Sequence, residues 1–213
     1  MYKYIIFDID GTMLDTEKAI LCALQKLLKI EKNKDYSADE LSFVLGIPGH
    51  IALAKLDISN IDNVNNKWNS YLREYDSYIR LYPGISSTVR NLSENGIITG
   101  IVTSKTREEY EADFVPFGMH TYFNYVVCAD DTQKHKPHPE PLLKALEMAN
   151  ISASLTLYIG DTIYDQQCSL AAKVDFGLAL WGTHDKELAA KYRFNSPIEI
   201  SEIFSFCSSQ KTV

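Results

Sequence analysis

Two aspartates close the first apolar run of the chain, Tyr4-Ile-Ile-Phe-Asp8-Ile-Asp10. Residues two apart on a strand point to the same face, so the carboxylates of Asp8 and Asp10 are expected to converge where the strand ends. Neighbouring carboxylates repel each other and need a cation or a shared proton to coexist. In an open α/β sheet, ligands bind at the carboxyl ends of the strands. The pair therefore indicates a magnesium-dependent reaction centre.

The same segment has two other interpretations, a hairpin turn and a calcium loop. Asp-Gly is a common hairpin-turn signal, so Asp10-Gly11 taken alone could be only a turn. A calcium loop would have its glycine at the sixth position and an oxygen ligand at the fifth. Gly11 is the fourth residue counted from Asp8 and Met13 the sixth, so the calcium loop is excluded.

The composition is that of an ordinary globular protein. The chain has 213 residues, of which 46% are hydrophobic and 23% charged, and its formal net charge is -7. Residues 16–80 have balanced charge, so the net negative charge lies outside them. Neither part has the basic excess typical of a nucleic-acid binder, and we expect no nucleic-acid partner.

The cysteines and the hydropathy pattern predict a cytoplasmic location. Four cysteines (Cys22, Cys128, Cys168 and Cys207) lie far apart without the spacing of a zinc site, which favours reduced thiols. No stretch approaches the roughly 18 apolar residues that span a bilayer, and the acid at Asp8 comes too early for a signal peptide. We expect no membrane partner, and the tail 208–213 is expected to be loose.

The order of patterns predicts an α/β fold, a Rossmann-like parallel sheet with helices on both faces. Predicted strands after the first are 97–103, 125–128, 155–159 and 176–181, and helical patterns lie between them. Residues 16–81 differ, because helical spacing continues there without a convincing strand. We therefore predict a core domain of residues 1–15 and 82–213, with an inserted α-helical cap domain over 16–81 and hinges near 14–17 and 81–83.

Polar residues follow each core strand of the prediction, and a parallel sheet brings them to one edge. They are Thr103 and Ser104, then Lys136 in a proline-fixed turn, then Asp161 and Asp165. Phosphoryl transfer needs a nucleophile in line and positive charge or N–H donors on the equatorial oxygens. Aspartate can be that nucleophile, and Mg²⁺ prefers one or two carboxylates plus phosphate and water. The set therefore predicts phosphoryl transfer from a monoester.

The same residues resemble the haloacid dehalogenase superfamily, in its phosphoglycolate-phosphatase-like branch with a helical cap. The motifs that match, in order, are Asp8-Ile-Asp10-Gly11-Thr12, Ile101-Val-Thr103-Ser104, Lys136-Pro137-His138-Pro139 and Ile159-Gly-Asp161-Thr-x-x-Asp165. The resemblance covers essentially the whole chain. It implies a magnesium-dependent phosphatase that acts on a small phosphorylated metabolite through an aspartyl-phosphate.

The resemblance also implies a role for each motif residue. Asp8 would be the nucleophile and a metal ligand, and Asp10 the general acid and base whose backbone carbonyl binds Mg²⁺. Thr103, the Ser104 amide and Lys136 would hold the phosphate. Asp161 would complete the metal site, with Asp165 a direct or water-mediated ligand.

Simpler interpretations exist for several of these residues. Thr103 could be an ordinary strand-end residue, and Asp161 could be a helix N-cap. Lys105 and Lys134 are expected to be solvated. In the cap, His50 follows a Gly46-Ile-Pro-Gly49 turn and is a candidate substrate contact.

Several functions remain open at this stage. A β-phosphoglucomutase-like phosphomutase would share every core residue, and inorganic pyrophosphate is one candidate substrate beside phosphoglycolate, sugar phosphates and nucleoside monophosphates. A binding module would be free to lose the acids, and Asp10 argues against dehalogenation. The substrate and the oligomeric state are not readable from the sequence.

Overall fold

The computed structural model describes residues 2–205. The strands are β1 (Tyr4–Phe7), β2 (Leu14–Asp15), β3 (Arg80–Leu81), β4 (Ile98–Val102), β5 (Tyr125–Val127), β6 (Thr156–Gly160), β7 (Asp175–Ala179) and β8 (Tyr192–Phe194). The helices are α1 (Glu17–Lys32), α2 (Ala38–Leu41), α3 (Gly49–Lys55), α4 (Ile61–Leu72), α5 (Ile85–Glu94), α6 (Arg107–Asp113), α7 (Glu140–Ala149), α8 (Ile163–Ala172) and α9 (Ile198–Ser205).

The core is a parallel sheet of six strands in the order β5-β4-β1-β6-β7-β8. The central strand β1 is buried on both faces: Tyr4 and Ile6 enter one apolar cluster, and Ile5 and Phe7 enter the other. This alternation follows from the two-residue period of a strand. Helices α5 and α9 contribute to the Phe7 cluster, and α7 and α8 to the Tyr4 cluster. The predicted α/β fold, with a parallel sheet and helices on both faces, is confirmed.

One core strand was not predicted. Strand β8 extends the sheet beyond β7 with three residues, Tyr192 to Phe194, and the middle one, Arg193, is exposed. A three-residue edge strand with a charged centre has no extended apolar run. Its pairing with β7 depends on the sheet already being in place.

Residues 17–72 form a helical unit with its own apolar cluster. Leu24 and Leu28 of α1 and Trp68 and Leu72 of α4 belong to that cluster, which is separate from the two that cover the sheet. This arrangement agrees with an inserted cap. The domain limits given above remain a prediction.

A short antiparallel ribbon connects the two units. Strand β2 pairs with β3, so that Leu14 lies opposite Leu81 and Asp15 opposite Arg80. The expectation that no strand occurs in the helical segment is therefore wrong at its end, because β3 begins at Arg80. Two residues are too few to produce a periodic pattern. The ribbon lies where hinges were expected.

Three of the four cysteines lie in the described part of the chain, and Cys22, Cys128 and Cys168 are free thiols there. Cys207 and the tail 208–213 lie outside the described residues. Among residues 2–205, no helix is long and apolar enough to cross a membrane.

Candidate active site

The site lies where three neighbouring parallel strands end. Asp8 directly follows β1, Thr103 follows β4 and Asp161 follows β6. Phe7 of β1 is in register with both Ile101 and Ile159, so the three strands end at the same edge. The carboxyl ends of parallel strands are the usual place for a ligand in such a sheet.

Lys136 is the centre of a buried charge cluster. Its Nζ lies 3.0 Å from Asp8 Oδ2 and 2.7 Å from Asp165 Oδ1. These three side chains are 1%, 3% and 0% exposed, respectively. The Tyr158 hydroxyl donates to the same Asp165 oxygen at 2.8 Å and accepts from Lys136 at 3.3 Å. One ammonium group thus lies between two carboxylates with a phenol beside it.

This edge of the sheet has more buried carboxylates than positively charged side chains to balance them. Burial raises the pKa of Asp8 to about 7, with Asp165 and Asp10 adding to the rise and Lys136 opposing it. Burial, with the charges of Asp165 and Asp8, raises the pKa of Asp161 well above its usual range. Burial acts to raise the pKa of Asp165 too, but Lys136, Thr162 and Tyr158 lower it overall. A further cation would relieve this repulsion.

Asp161 is held by the loop that follows Asp10. The Thr12 hydroxyl donates to Asp161 Oδ1 at 2.8 Å. Gly11 has φ of +76°, and a Cβ there would lie 2.1 Å from Asp161 Oδ2. Only glycine therefore fits the turn at this distance from the carboxylate. The Asp10-Gly11 turn is real, and it serves to bring Asp161 against the first motif.

Asp165 has a structural partner on each oxygen. Oδ2 accepts from the Thr162 amide at 3.0 Å and the Thr162 hydroxyl at 2.6 Å, while Oδ1 faces Lys136 and Tyr158. Thr162 and Asp165 form the capping box that starts α8. The alternative that Asp161 is the N-cap of this helix is therefore wrong.

Removing the central ammonium group is expected to destabilise the fold. Lys136→Met leaves Asp8 and Asp165 buried without their cation, and breaking such a pair costs about 3–5 kcal/mol. Urea unfolding in metal-free buffer measures the change in the free energy of unfolding. Lys134→Met is the matched control, because Lys134 is exposed in the same turn and a surface change is expected to stay within about 0.5 kcal/mol. Equal losses in the two variants would contradict the charge cluster.

The candidate phosphate-binding residues lie beside Asp8. Thr103 is buried, and its hydroxyl oxygen accepts from the Lys105 amide at 3.2 Å. The Ser104 hydroxyl donates to the Gly46 carbonyl of the cap at 2.9 Å. The side chain of Ser104 thus contacts the cap, while the role expected for this residue is that of its backbone amide.

The expectation that Lys105 is solvated is wrong. Its side chain is 8% exposed, and its Nζ lies 3.1 Å from Asp10 Oδ1 and 2.7 Å from Asp113 Oδ2. The sequence does not reveal this, because Asp10 is far from Lys105 along the chain. Lys134, in contrast, is exposed as expected.

Two cavities lie between the core and the helical unit. The first, of about 70 Å³, is lined by core residues Asp8, Asp10, Ser104 and Lys105 and by cap residues including Gly46, Asn65, Trp68 and Asn69. The second, of about 280 Å³, adjoins Asp10 and Asp161 and is lined also by Phe43, Tyr82 and His184. The nucleophile candidate Asp8 faces the smaller cavity.

His50 lies at the boundary between the cap and the core. Its ring is exposed and packs edge-on against His135, with ring centroids 5.3 Å apart. His135 immediately precedes Lys136 in the sequence. The substrate contact expected of His50 remains a prediction.

Four residues that the sequence analysis did not assign to the site belong to it. They are Lys105, Tyr158, Asn65 and Asn69. Asn65 and Asn69 are four residues apart on α4, and the buried Trp68 directly precedes Asn69. The available signal was the high asparagine content of α4, which has four asparagines in twelve residues although this residue type does not favour helix interiors. Tyr158 gave none, since an aromatic residue in a buried strand is common.

Comparison with known proteins identifies the family of the chain. Residues 5–179 match the family model described as haloacid dehalogenase-like hydrolase. The chain is 31% identical over 190 residues to the "Putative pyrophosphatase PpaX" of Caldanaerobacter subterraneus subsp. tengcongensis. The aligned region covers 88% of this chain and 86% of the relative. It is 30% identical to Pyrophosphatase PpaX of Bacillus mycoides, over 76% of this chain and 75% of the relative.

A solved structure extends the similarity to the whole fold. The "putative phosphoglycolate phosphatase" from Lactobacillus plantarum superposes with a TM-score of 0.86 at 34% identity, over 96% of this chain and all of the other (100%). The resemblance to the phosphoglycolate-phosphatase-like branch is therefore confirmed. The chain belongs to the haloacid dehalogenase-like hydrolase family, and it is a phosphatase of that family.

Proposed function

We propose that this phosphatase hydrolyses a small phosphate monoester through an aspartyl-phosphate on Asp8, with Mg²⁺ as its cofactor. The observation that supports it best is the buried cluster of Asp8, Asp161 and Asp165, whose carboxylate oxygens lie within 4.8 Å of one another, with Lys136 against two of them. A structural role alone does not explain three buried acids with one ammonium group.

The reaction has two steps that regenerate the enzyme. In the first, a carboxylate oxygen of Asp8 bonds to phosphorus, the bond between phosphorus and the ester oxygen breaks, and the leaving oxygen takes a proton from Asp10. In the second, water attacks the aspartyl-phosphate while Asp10 accepts its proton. The bond between phosphorus and Asp8 breaks, which restores the carboxylate and releases inorganic phosphate. Splitting one hard step into two easier ones is the advantage of the covalent route.

The remaining motif residues bind the phosphoryl group. Thr103 and the Ser104 amide supply hydrogen-bond donors beside Asp8, and Lys136 supplies positive charge. The pKa of Lys136 supports this role: burial acts to lower it, but Asp165 and Asp8 raise it well above the usual value. The contacts with Asp8 and Asp165 thus favour the charged form of Lys136.

The residues present fit a magnesium ion. The donors are hard carboxylate oxygens. Burial and the neighbouring carboxylates raise the pKa of Asp8 and of Asp161, and a cation beside them would oppose that rise. Asp8, the backbone carbonyl of Asp10 and Asp161 would hold the ion. Asp165, with both oxygens engaged by Lys136, Tyr158 and Thr162, would support it through water. When bound, Mg²⁺ neutralises the charge that otherwise separates a carboxylate nucleophile from a dianionic substrate.

The leaving group is expected to be small. The cavity beside Asp8 is lined on one side by the core and on the other by the cap, which favours a small phosphorylated metabolite over a polymer. Two of the candidate substrates also occur in the names of similar proteins: inorganic pyrophosphate in those of the relatives, and phosphoglycolate in that of the Lactobacillus plantarum structure. A phosphomutase would share the same chemistry up to the aspartyl-phosphate.

A panel of substrates with and without metal tests the proposal. The purified protein is expected to hydrolyse p-nitrophenyl phosphate in Mg²⁺, to lose activity in a chelator, and to regain it when Mg²⁺ is added back. Phosphoglycolate, pyrophosphate, a sugar phosphate and a nucleoside monophosphate, compared by kcat/KM, identify the preferred leaving group. Undiminished activity in the chelator would exclude the metal role. Transfer of phosphate to a sugar phosphate, in place of release, would favour a mutase.

A further inference from the structure

A chain of charged side chains runs from the helical cap to Asp10. Arg73, which follows α4, forms an ion pair with Asp113 at the end of α6. The other oxygen of Asp113 lies 2.7 Å from Lys105 Nζ, and the same Nζ lies 3.1 Å from Asp10 Oδ1. These contacts join the cap to the acid-base residue through two intervening side chains.

The inner part of this chain is removed from water. The side chains of Lys105 and Asp113 are 8% and 0% exposed. Transferring such ions out of water costs several kcal/mol each, and only good geometry with opposite charges offsets it. Burial acts to lower the pKa of Lys105, but Asp10 and Asp113 raise it well above the usual value. The two carboxylates in contact with Lys105 thus favour its charged form beside Asp10.

The segment that carries Lys105 is attached to the cap at two further points. Asn69 of α4 donates to Glu109 of α6 at 2.9 Å, and Ser104 donates to the Gly46 carbonyl at 2.9 Å. Glu109 also completes the capping box at the start of α6. The position of Lys105 is thus determined by contacts on both sides of the cavity.

The contact with Lys105 leaves one oxygen of Asp10 for chemistry. Within the described part of the chain, Asp10 Oδ1 is buried and has no hydrogen bond of regular geometry. Its partner is the ammonium group at 3.1 Å, as an ion pair. Because the cation faces Oδ1, the proton that Asp10 exchanges with the leaving group belongs on Oδ2. The contact thereby fixes the orientation of the carboxyl group.

We propose that Lys105 is a positioning residue that orients the carboxyl group of Asp10 toward the leaving group, and that Asp113 makes this orientation depend on the cap residue Arg73. The inference rests on the acid-base role of Asp10 given under Proposed function. A purely structural ion pair would predict no dependence on the chemistry of the leaving group.

Two substrates that differ in their need for a proton separate these interpretations. The leaving group of p-nitrophenyl phosphate departs without protonation, whereas an alkyl ester such as phosphoglycolate or a sugar phosphate needs the proton of Asp10. The ratio of their kcat/KM values reports only the steps up to phosphorylation of Asp8. Hydrolysis of the aspartyl-phosphate is common to both substrates and does not enter the ratio.

Lys105→Met is expected to lower kcat/KM for the alkyl ester by up to about 10²-fold, the usual cost of a misplaced catalytic group. The aryl ester is expected to change little. Arg73→Met is expected to move the ratio in the same direction by less, because Asp113 still holds Lys105. Lys105→Arg is expected to restore part of the loss. Lys134→Met, which removes an exposed charge from the turn before Lys136, is the control.

If Lys105→Met lowers kcat/KM equally for the two esters, or for neither, their ratio stays unchanged and the proposal is overturned. If Lys105→Met does not fold, Arg73→Met decides the question, because Arg73 is partly exposed and the variant weakens the support of Lys105 without removing the buried lysine itself. A failure of the proposed phosphatase function can be distinguished from a failure of this inference. In the former case the unmodified protein hydrolyses neither ester in Mg²⁺, whereas failure of this inference leaves the unmodified protein active.

Discussion

Replacing Asp8 with asparagine is expected to abolish turnover on every phosphate ester. The amide cannot form an acyl-phosphate, so the route through a covalent intermediate is closed at its first step. The substitution also removes one of the crowded carboxylates around Lys136. Burial and the neighbouring carboxylates already raise the pKa of Asp8 to about 7. We therefore expect the variant to remain folded, with a thermal midpoint no lower than that of the unmodified protein.

The measurement combines steady-state rates with trapping of the intermediate. Acid-quenched protein, after incubation with substrate, is examined by intact mass and by borohydride reduction of the acyl-phosphate, followed by peptide mapping. The unmodified protein is expected to carry the label on Asp8, and Asp8→Asn is expected to carry none. Asp15→Asn is the matched control, because Asp15 pairs with Arg80 in the surface ribbon. A label on Asp10 or Asp15 would show that the nucleophile is assigned wrongly.

Replacing Asp10 with asparagine is expected to slow the reaction without preventing attack. General acid-base help is worth a factor of about 10²–10⁴, so kcat for an alkyl ester should fall by that order. With p-nitrophenyl phosphate the first step needs no acid, while the second still lacks its base. We therefore expect an initial burst of p-nitrophenol and accumulation of the aspartyl-phosphate on Asp8.

Burst kinetics distinguish this variant from one that is merely misfolded. A burst whose amplitude approaches the enzyme concentration shows that the nucleophile works and that the intermediate is long-lived. A variant that forms no phospho-enzyme at all would contradict separate roles for Asp8 and Asp10. Asp15→Asn again serves as the control, since it removes a carboxylate of the neighbouring strand β2 that does not line the cavity beside Asp8.

The two variants also clarify the relation between the reaction and stability. The site holds three buried acids around one lysine, and this arrangement costs stability in the absence of a further cation. Active sites are where such repulsion is commonly retained, because the same charges are needed by the chemistry. A gain in stability together with a loss of activity in Asp8→Asn would be direct evidence of that compromise.

Much of this protein follows from local sequence. Parallel strands separated by helices must place the residues after their last apolar positions at one edge, which is why the sequence alone brings Asp8, Thr103 and Asp161 into one predicted crevice. The same reasoning predicts the α/β core and its helices. The helical spacing of residues 16–81 likewise predicts a second unit, because an amphipathic helix must bury one face.

Contacts between residues distant in the chain were decided only by the tertiary structure. The burial of Lys105 follows from the approach of Asp10 and Asp113, and the lining by Asn65 and Asn69 follows from how the cap meets the core. Strand β8 forms because β7 offers it an edge. A local sequence pattern shows which face of a helix or strand is apolar. It does not show which other helix or strand will pack there, and the partner of a charged or amide side chain depends on that packing.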